Sequence, residues 1–177
     1  MKDWWFSYNR GGARKAAVSD STKFIVDSNV GKLAKWLRML GYDAVFFEGD
    51  DDAYMIDRAL KEDRVILTRD TQVMKRGVIT SGRLKAILID SDKVEPQVLQ
   101  VIETLHLDFQ SRPFTICLEC NNPLEERSKE EIKDRVPSYV FKTQQQYMEC
   151  PVCHRIYWRG THWQAMLGKL ERLTKRR

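Results

Sequence analysis

Two Cys-x-x-Cys pairs, Cys117-Leu-Glu-Cys120 and Cys150-Pro-Val-Cys153, stand 29 residues apart and hold every cysteine of the chain. Each pair can turn back on itself as a knuckle that aims two thiolates at one point. Together they supply four thiolates, the closed tetrahedral shell of a structural zinc site with no open position for water. The segment around them is too poor in apolar residues to build a large core, so the metal is expected to drive its folding. Four thiols kept in two pairs suit a reducing compartment, where metal binding prevails over disulfides. A redox pair belongs after a strand of a thioredoxin-like unit, and zinc is a commoner occupant of paired knuckles than an iron–sulfur cluster. His154 follows Cys153 directly, but four thiolates already complete the shell. The expected module is a small zinc ribbon.

Ahead of the ribbon the hydrophobic pattern alternates between strand and helix. Lys23 to Val26 reads as a buried strand ending at Asp27, followed by Ser28 as an N-cap. Val30, Leu33, Ala34, Leu37 and Leu40 then mark one face of a helix that stops at Gly41. A second strand over 43–47 precedes a helix from about Asp52 to Lys61, with Met55, Ile56, Ala59 and Leu60 inward. A third strand over 64–68 ends at Arg69-Asp70, and a short helix over about 71–76 follows it. A fourth strand over 84–89 ends at Asp90, and Pro96 fits the first turn of a helix reaching about Leu105. Such alternation predicts an α/β fold, three layers around a mostly parallel sheet. The composition shifts at Ser111-Arg112-Pro113, which divides the chain into a basic and aromatic arm (1–22), an α/β domain (23–111), and a ribbon with a C-terminal helix (112–177). Within the ribbon, 129–135 reads as a short helical insert ended by Pro137, and 139–141 and 155–158 read as strands.

Three of the predicted strands end in an aspartate: Asp27, Asp70 and Asp90. Parallel strands present their carboxyl ends along one edge, where ligands bind in α/β sheets. Asp27, Asp70 and a helix-start acid such as Asp52 can therefore meet although distant in sequence. Clustered carboxylates repel one another, and a hard cation such as Mg²⁺ or Mn²⁺, which prefers oxygen ligands and retained waters, relieves that repulsion. A cation so held activates water for attack on a phosphodiester. Aspartate is also a favoured helix N-cap whatever a protein does, and each of these positions is open to that reading.

The string KFIVDSNVGKLAKWLRMLGYD, followed by VILTRD, resembles the PIN-like RNase domain found at the C-terminus of Mut-seven-type exonucleases. CLECNNPLEERSKEEIKDRVP and CPVCHRIYWRGTHW resemble the zinc ribbon fused to that domain. The resemblance runs from about Phe24 to Met166, with the motifs in order. It implies a PIN-like fold and metal-dependent ribonuclease chemistry, with catalytic acids at Asp27, Asp52, Asp70 and Asp90. Asp51 is the rival of Asp52, and Asp90 occupies the place of the fourth acid, which varies within this branch. The family often has Asp-Glu-Asn where this chain has Asp27-Ser28-Asn29, a departure that removes one carboxylate. Asn29 remains suited to binding a metal-bound water or a phosphate, and Arg69 and Arg38 are phosphate candidates.

The net charge of +5 is concentrated at the ends. Residues 1–23 carry five basic groups against two acidic, and 154–177 carry seven Lys/Arg against one Glu. Arg155, Trp158, Arg159 and His162 interleave bases with aromatics, a pattern suited to stacking on and neutralising RNA. Beyond them Trp163, Met166, Leu167, Leu170 and Leu173 recur at helical spacing as a docking stripe, with Lys169 and Arg172 on the outer side. No apolar run approaches the roughly 20 residues that span a bilayer, and the N-terminus lacks a signal-peptide core. The expectation is a soluble, cytoplasmic protein with no membrane partner. RNA, including ribosomal RNA or tRNA, is its expected partner, and structural Zn²⁺ and catalytic Mg²⁺ or Mn²⁺ its cofactors. Two functions fit: a ribonuclease, or a non-catalytic RNA-binding or ribosome-associated factor on the same scaffold.

Overall fold

The computed structural model describes residues 22–108, 113, 115–161, 164, 165, 168 and 172. Its frame is β1 (Lys23–Asp27), whose residues from Phe24 onward are buried and which pairs on both sides. A strand covered on both faces and both edges needs an unbroken apolar run, and Phe24-Ile25-Val26 provides one. Together β1, β2 (Ala44–Phe47), β3 (Arg64–Thr68) and β4 (Ala86–Leu88) form a sheet in the order β2-β1-β3-β4. All three pairings are parallel; Phe24 stands beside Ala44 on one side and Val65 on the other.

The strand period of two sorts the side chains into two cores. Phe24, Val26 and Leu67 face Leu33 and Leu37 of α1 (Lys32–Met39) and Val98, Val101 and Ile102 of α5 (Val94–Leu105). Ile25 and Ile66 face Met55 and Ala59 of α2 (Asp52–Glu62) and Val73 of α3 (Thr71–Met74). A further turn of helix, α4 (Gly77–Thr80), packs Val78 and Ile79 on the same side. Helices thus cover both faces, as a three-layer α/β fold requires. The chain leaves β1 for one face and β3 for the other, so a crevice opens between their carboxyl ends.

The structure corrects several local expectations. Ser28 does not cap α1: Ser28–Val30 form a 3-10 turn, and the helix begins after Gly31. Gly41 ends α1's exit with φ 90°, a conformation glycine adopts freely. Leu60 is 40% exposed rather than inward, because α2 turns only Met55 and Ala59 fully into the core. The segment 129–135 is a run of turns, and 138–143 is helix α6 (Ser138–Thr143) instead of a strand. Pro137 starts that helix, and the buried Tyr147 reaches back to the Val140 and Gln144 carbonyls at its end. The ribbon's antiparallel sheet is β5 (Glu125–Arg127), β6 (Tyr147–Glu149) and β7 (Ile156–Tyr157), in that order. The arm over 1–21, the boundary at 111–112 and all five residues of the C-terminal stripe lie outside the described residues. No helix among the described residues is long and apolar enough to cross a membrane.

Candidate active site and metal centre

Asp27 is buried at the carboxyl end of β1 and spends neither oxygen on capping the 3-10 turn after it. Its Oδ2 accepts from the Thr68 hydroxyl and from Asn29 Nδ2, the latter at 2.6 Å; Ser28 Oγ donates to Oδ1 at 3.2 Å. Thr68 is the last residue of β3, the strand next door. Having donated to Asp27, its Oγ1 accepts from the Asp70 N–H at 2.9 Å. Asn29 Oδ1 completes the link by accepting from the Arg69 N–H at 3.0 Å. Asp27, Asn29, Thr68 and Asp70 thus form one network across the β1–β3 crevice. Thr68, fully buried, is the member the sequence reading passed over. Its place in the Thr-Arg-Asp string was the available signal.

The other aspartates stand elsewhere. Asp70 caps α3, accepting from the Gln72 N–H at 2.6 Å through Oδ1, which leaves Oδ2 outside the cap. Asp51 caps α2 by accepting from the Ala53 and Tyr54 N–H groups. Its rival Asp52 is free of that duty and faces Arg76 at 3.6 Å. Asp90 is exposed and locked to Gln100 of α5 in both directions, each bond 3.1 Å. Among the described residues, only the four cysteines bring three or more His, Cys, Asp or Glu ligand atoms within 4.8 Å of one another. The four aspartates therefore do not close into one direct cage. Asp27 and Asp70 share Thr68, while Asp52 and Asp90 are engaged with neighbours of their own.

Arg38 is not a phosphate contact. It is buried, and its guanidinium donates to the carbonyls of Ala44, Leu118 and Glu119 at 2.8–2.9 Å. Arg69 and Arg172 are exposed. Arg155 pairs with Glu119 at 2.9 Å, and Trp158 and Arg159 line a shallow recess with Tyr157 and Met148. His162 and Lys169 lie outside the described residues.

The cysteine cluster repeats one turn twice. The Asn121 N–H donates to the Cys117 carbonyl and the His154 N–H to the Cys150 carbonyl. Both of these following residues are left-handed, with φ 59° and 56°, a region that Asn and His visit more readily than most side chains. The sulfurs of Cys117–Cys153, Cys117–Cys120 and Cys120–Cys150 are 3.6, 3.4 and 3.3 Å apart. These spacings are too long for disulfides, which bond at about 2.0 Å. They are close to the roughly 3.8 Å expected around a tetrahedral ion with 2.3 Å bonds to sulfur. The donor set fits a soft dication, and the cluster can bind a metal such as zinc.

The electrostatics agree with that fit. Burial opposes ionisation of Cys117, but the Cys120 N–H and the Tyr157 hydroxyl outweigh it and bring the thiol down to about 6. The backbone N–H of Arg155 favours the Cys153 thiolate, yet burial and the neighbouring sulfurs push it up to about 12. Four thiols compete for one patch of positive potential, and a dication lets all of them ionise. His154 is no ligand; its Nδ1 faces Glu149 at 3.5 Å. Glu149, buried beneath the knuckles, is held down at about 2 by Arg135 and then Arg127, against the cost of burial.

A family model described as the Mut7-C RNAse domain matches residues 22–170, most of the chain. No curated protein matches it.

Proposed function

The chain belongs to the Mut7-C RNase domain family, and from that premise we propose that it hydrolyses RNA phosphodiester bonds with Mg²⁺ or Mn²⁺. The observation that carries this reading is the Asp27–Thr68–Asp70 linkage at the mouth of the β1–β3 crevice. Hydrogen bonds orient both carboxylates: Asp27 accepts two at Oδ2 and a longer one from Ser28 at Oδ1, and Asp70 accepts at Oδ1 and keeps Oδ2 outside its cap. Mg²⁺ commonly takes one or two carboxylates and keeps several waters, so this pair is a sufficient protein share. A divalent cation there supplies the charge that makes water nucleophilic and stabilises the phosphoryl oxygens. Asp27 and Asp70 hold it, Asn29 and Thr68 position Asp27, and Arg69 meets phosphate. The zinc-filled ribbon offers Arg155, Trp158, Arg159 and Arg172 to the strand, together with His162 and Lys169. The four thiolates suit the cytoplasm, where thiols stay reduced.

A second reading, an RNA-binding factor without catalysis, draws on Asp52 and Asp90 being engaged with Arg76 and Gln100. One assay separates the two. Zinc-loaded protein is incubated with labelled single-stranded and structured RNA, with Mn²⁺ or with no added divalent cation, beside Asp27→Asn and Asp70→Asn. We expect Mn²⁺-dependent cleavage that falls at least about 100-fold in each variant, the scale of a lost electrostatic contribution to catalysis. RNA bound but left intact by the wild type gives the chain to the second reading.

A further inference from the structure

The segment that follows Asp70 differs in charge from what precedes it. Residues 24–70 carry seven Lys/Arg against ten Asp/Glu, whereas the 19 residues from Thr71 to Ile89 carry four cations and no acid. Those four, Lys75, Arg76, Arg83 and Lys85, are all exposed, and so is Arg69 just ahead of them. The apolar residues of the same segment turn the other way. Val73, Val78, Ile79 and Leu84 pack on the face of the sheet that holds Ile25 and Ile66.

Topology spreads the cations along a path. α3 and α4 carry the chain from the carboxyl end of β3 back to the start of β4. There Ala86 stands opposite Ile66, and the Ile66 N–H donates to the Lys85 carbonyl. Ile66 lies four residues before Asp70, a step of about 13 Å in extended chain. The path therefore begins at the Asp27–Asp70 crevice and ends well below it. Arg76 joins it to Asp52, 3.6 Å away. Among the described residues no carboxylate pairs with Arg69, Lys75, Arg83 or Lys85, although Arg58, Lys61 and Arg64 all have such partners.

Ordinary soluble surfaces intersperse both signs, and a field of one sign attracts a partner of the other. A single phosphate ion would meet one end of so long a path, while a run of phosphates meets all of it. An anionic bilayer asks for exposed apolar side chains beside the cations. The exposed neighbours here are instead Thr71, Gln72, Thr80 and Ser81. We propose that this path is a phosphate track. Arg69, Lys75, Arg76, Arg83 and Lys85 hold the backbone of a single RNA strand along α3 and α4, on its way to or from Asp27 and Asp70. The inference deepens the ribonuclease reading and rests on it for RNA as the strand. It gives the α/β unit a grip of its own, apart from the ribbon, whose first knuckle contacts α1 and the start of β2.

The test is a fluorescence-anisotropy titration of full-length, zinc-loaded protein with a short labelled single-stranded RNA, without added divalent cation, across a salt series. Each phosphate contact contributes about 0.7 to the slope of log affinity against log salt. Arg83→Gln combined with Lys85→Gln should lower that slope by about 1.4 and weaken binding about tenfold or more near physiological salt. Lys133→Gln combined with Lys142→Gln removes the same charge from exposed ribbon positions and should leave slope and affinity unchanged. Zinc content and circular dichroism establish that both double variants are folded. Cleavage plays no part in this readout, so a chain that grips RNA by the track and cuts nothing would fail the catalytic reading alone. An unchanged slope in the first double variant, equal losses in the two, or tighter binding of wild type to phosphatidylserine vesicles than to RNA would overturn the track.

Discussion

At the scale of single residues the decisive group is the Thr68 hydroxyl. It has one proton and two lone pairs, and it uses them to donate to Asp27 and accept from the Asp70 N–H. Asp27 is buried, and a carboxylate in that position depends on such donors. Thr68→Val keeps the shape and removes the hydroxyl, so it should cost about 1–3 kcal/mol in denaturant unfolding. It should also slow cleavage by at least about tenfold, whereas Thr68→Ser should recover most of both. Wild-type stability and rate in Thr68→Val would remove Thr68 from the site. The sequence pointed to Asp27 and Asp70 because both follow buried apolar runs. By pattern Thr68 reads as an ordinary β-branched strand residue, and only its place in the Thr-Arg-Asp string marks it. Its partner is 41 positions away, and periodicity carries no information on which side chains meet across a sheet. Arg38 was misplaced for the opposite reason: it sits beside apolar helix positions and is consumed by three carbonyls that only the fold brings near it.

The elements divide by how they are stabilised. The parallel strands of the sheet are buried on both faces, so hydrophobic burial selects them and their apolar runs were readable. The ribbon's β5 is Glu-Glu-Arg, held by pairing and by the Arg127–Glu149 contact, and nothing in its pattern says strand. Tyr139-Val140-Phe141 has strand-like composition, yet Pro137 before it and Tyr147 after it close it into a helix. Ends of elements respond to charge as well as burial. Arg64, at the start of β3, donates to the Phe24 carbonyl and grips both oxygens of Asp43 at 2.7 and 3.1 Å, just ahead of β2. Burial works to raise the Asp43 carboxyl, but Arg64 and then Asn121 hold it below its ordinary 3.8. A carboxylate depressed in the folded state stabilises fully above its unfolded value, and that stabilisation is lost as the pH falls through the lower folded one. Asp43→Asn should therefore be less stable than wild type by a constant amount at neutral pH, with the gap closing below about pH 4. Paired unfolding curves measure it, since acid release of the ribbon's metal is common to both proteins. A gap that persists unchanged into acid would mean that Asp43 acts by shape alone.

The whole molecule is joined where the first knuckle meets the sheet. Arg38 of α1 donates to the Leu118 and Glu119 carbonyls inside the Cys117–Cys120 turn, and to Ala44 at the start of β2. Asn121, left-handed just after that turn, donates to Asp43, and its Oδ1 accepts from the Ala44 N–H at 2.9 Å. Lys35 pairs with Glu119 on the surface, a contact of small weight beside these. The conformation of the knuckle therefore sets the position of two carbonyls and an amide that the α/β unit uses as its own partners. If the metal shapes the knuckle, it also stabilises the edge of the sheet, and one ion ties the ribbon to the α/β unit that holds Asp27. Chelation should then do more than unfold residues 115–161. It should speed hydrogen exchange at the Ala44 amide, and it should lower the stability of the α/β unit by about 2 kcal/mol or more, the worth of hydrogen bonds to a charged donor. Arg38→Leu should already have paid most of that loss with metal bound, so adding chelator to it should change the sheet little further. Exchange at Ala44 that ignores the chelator, or equal chelator effects on wild type and Arg38→Leu, would show two units that merely touch.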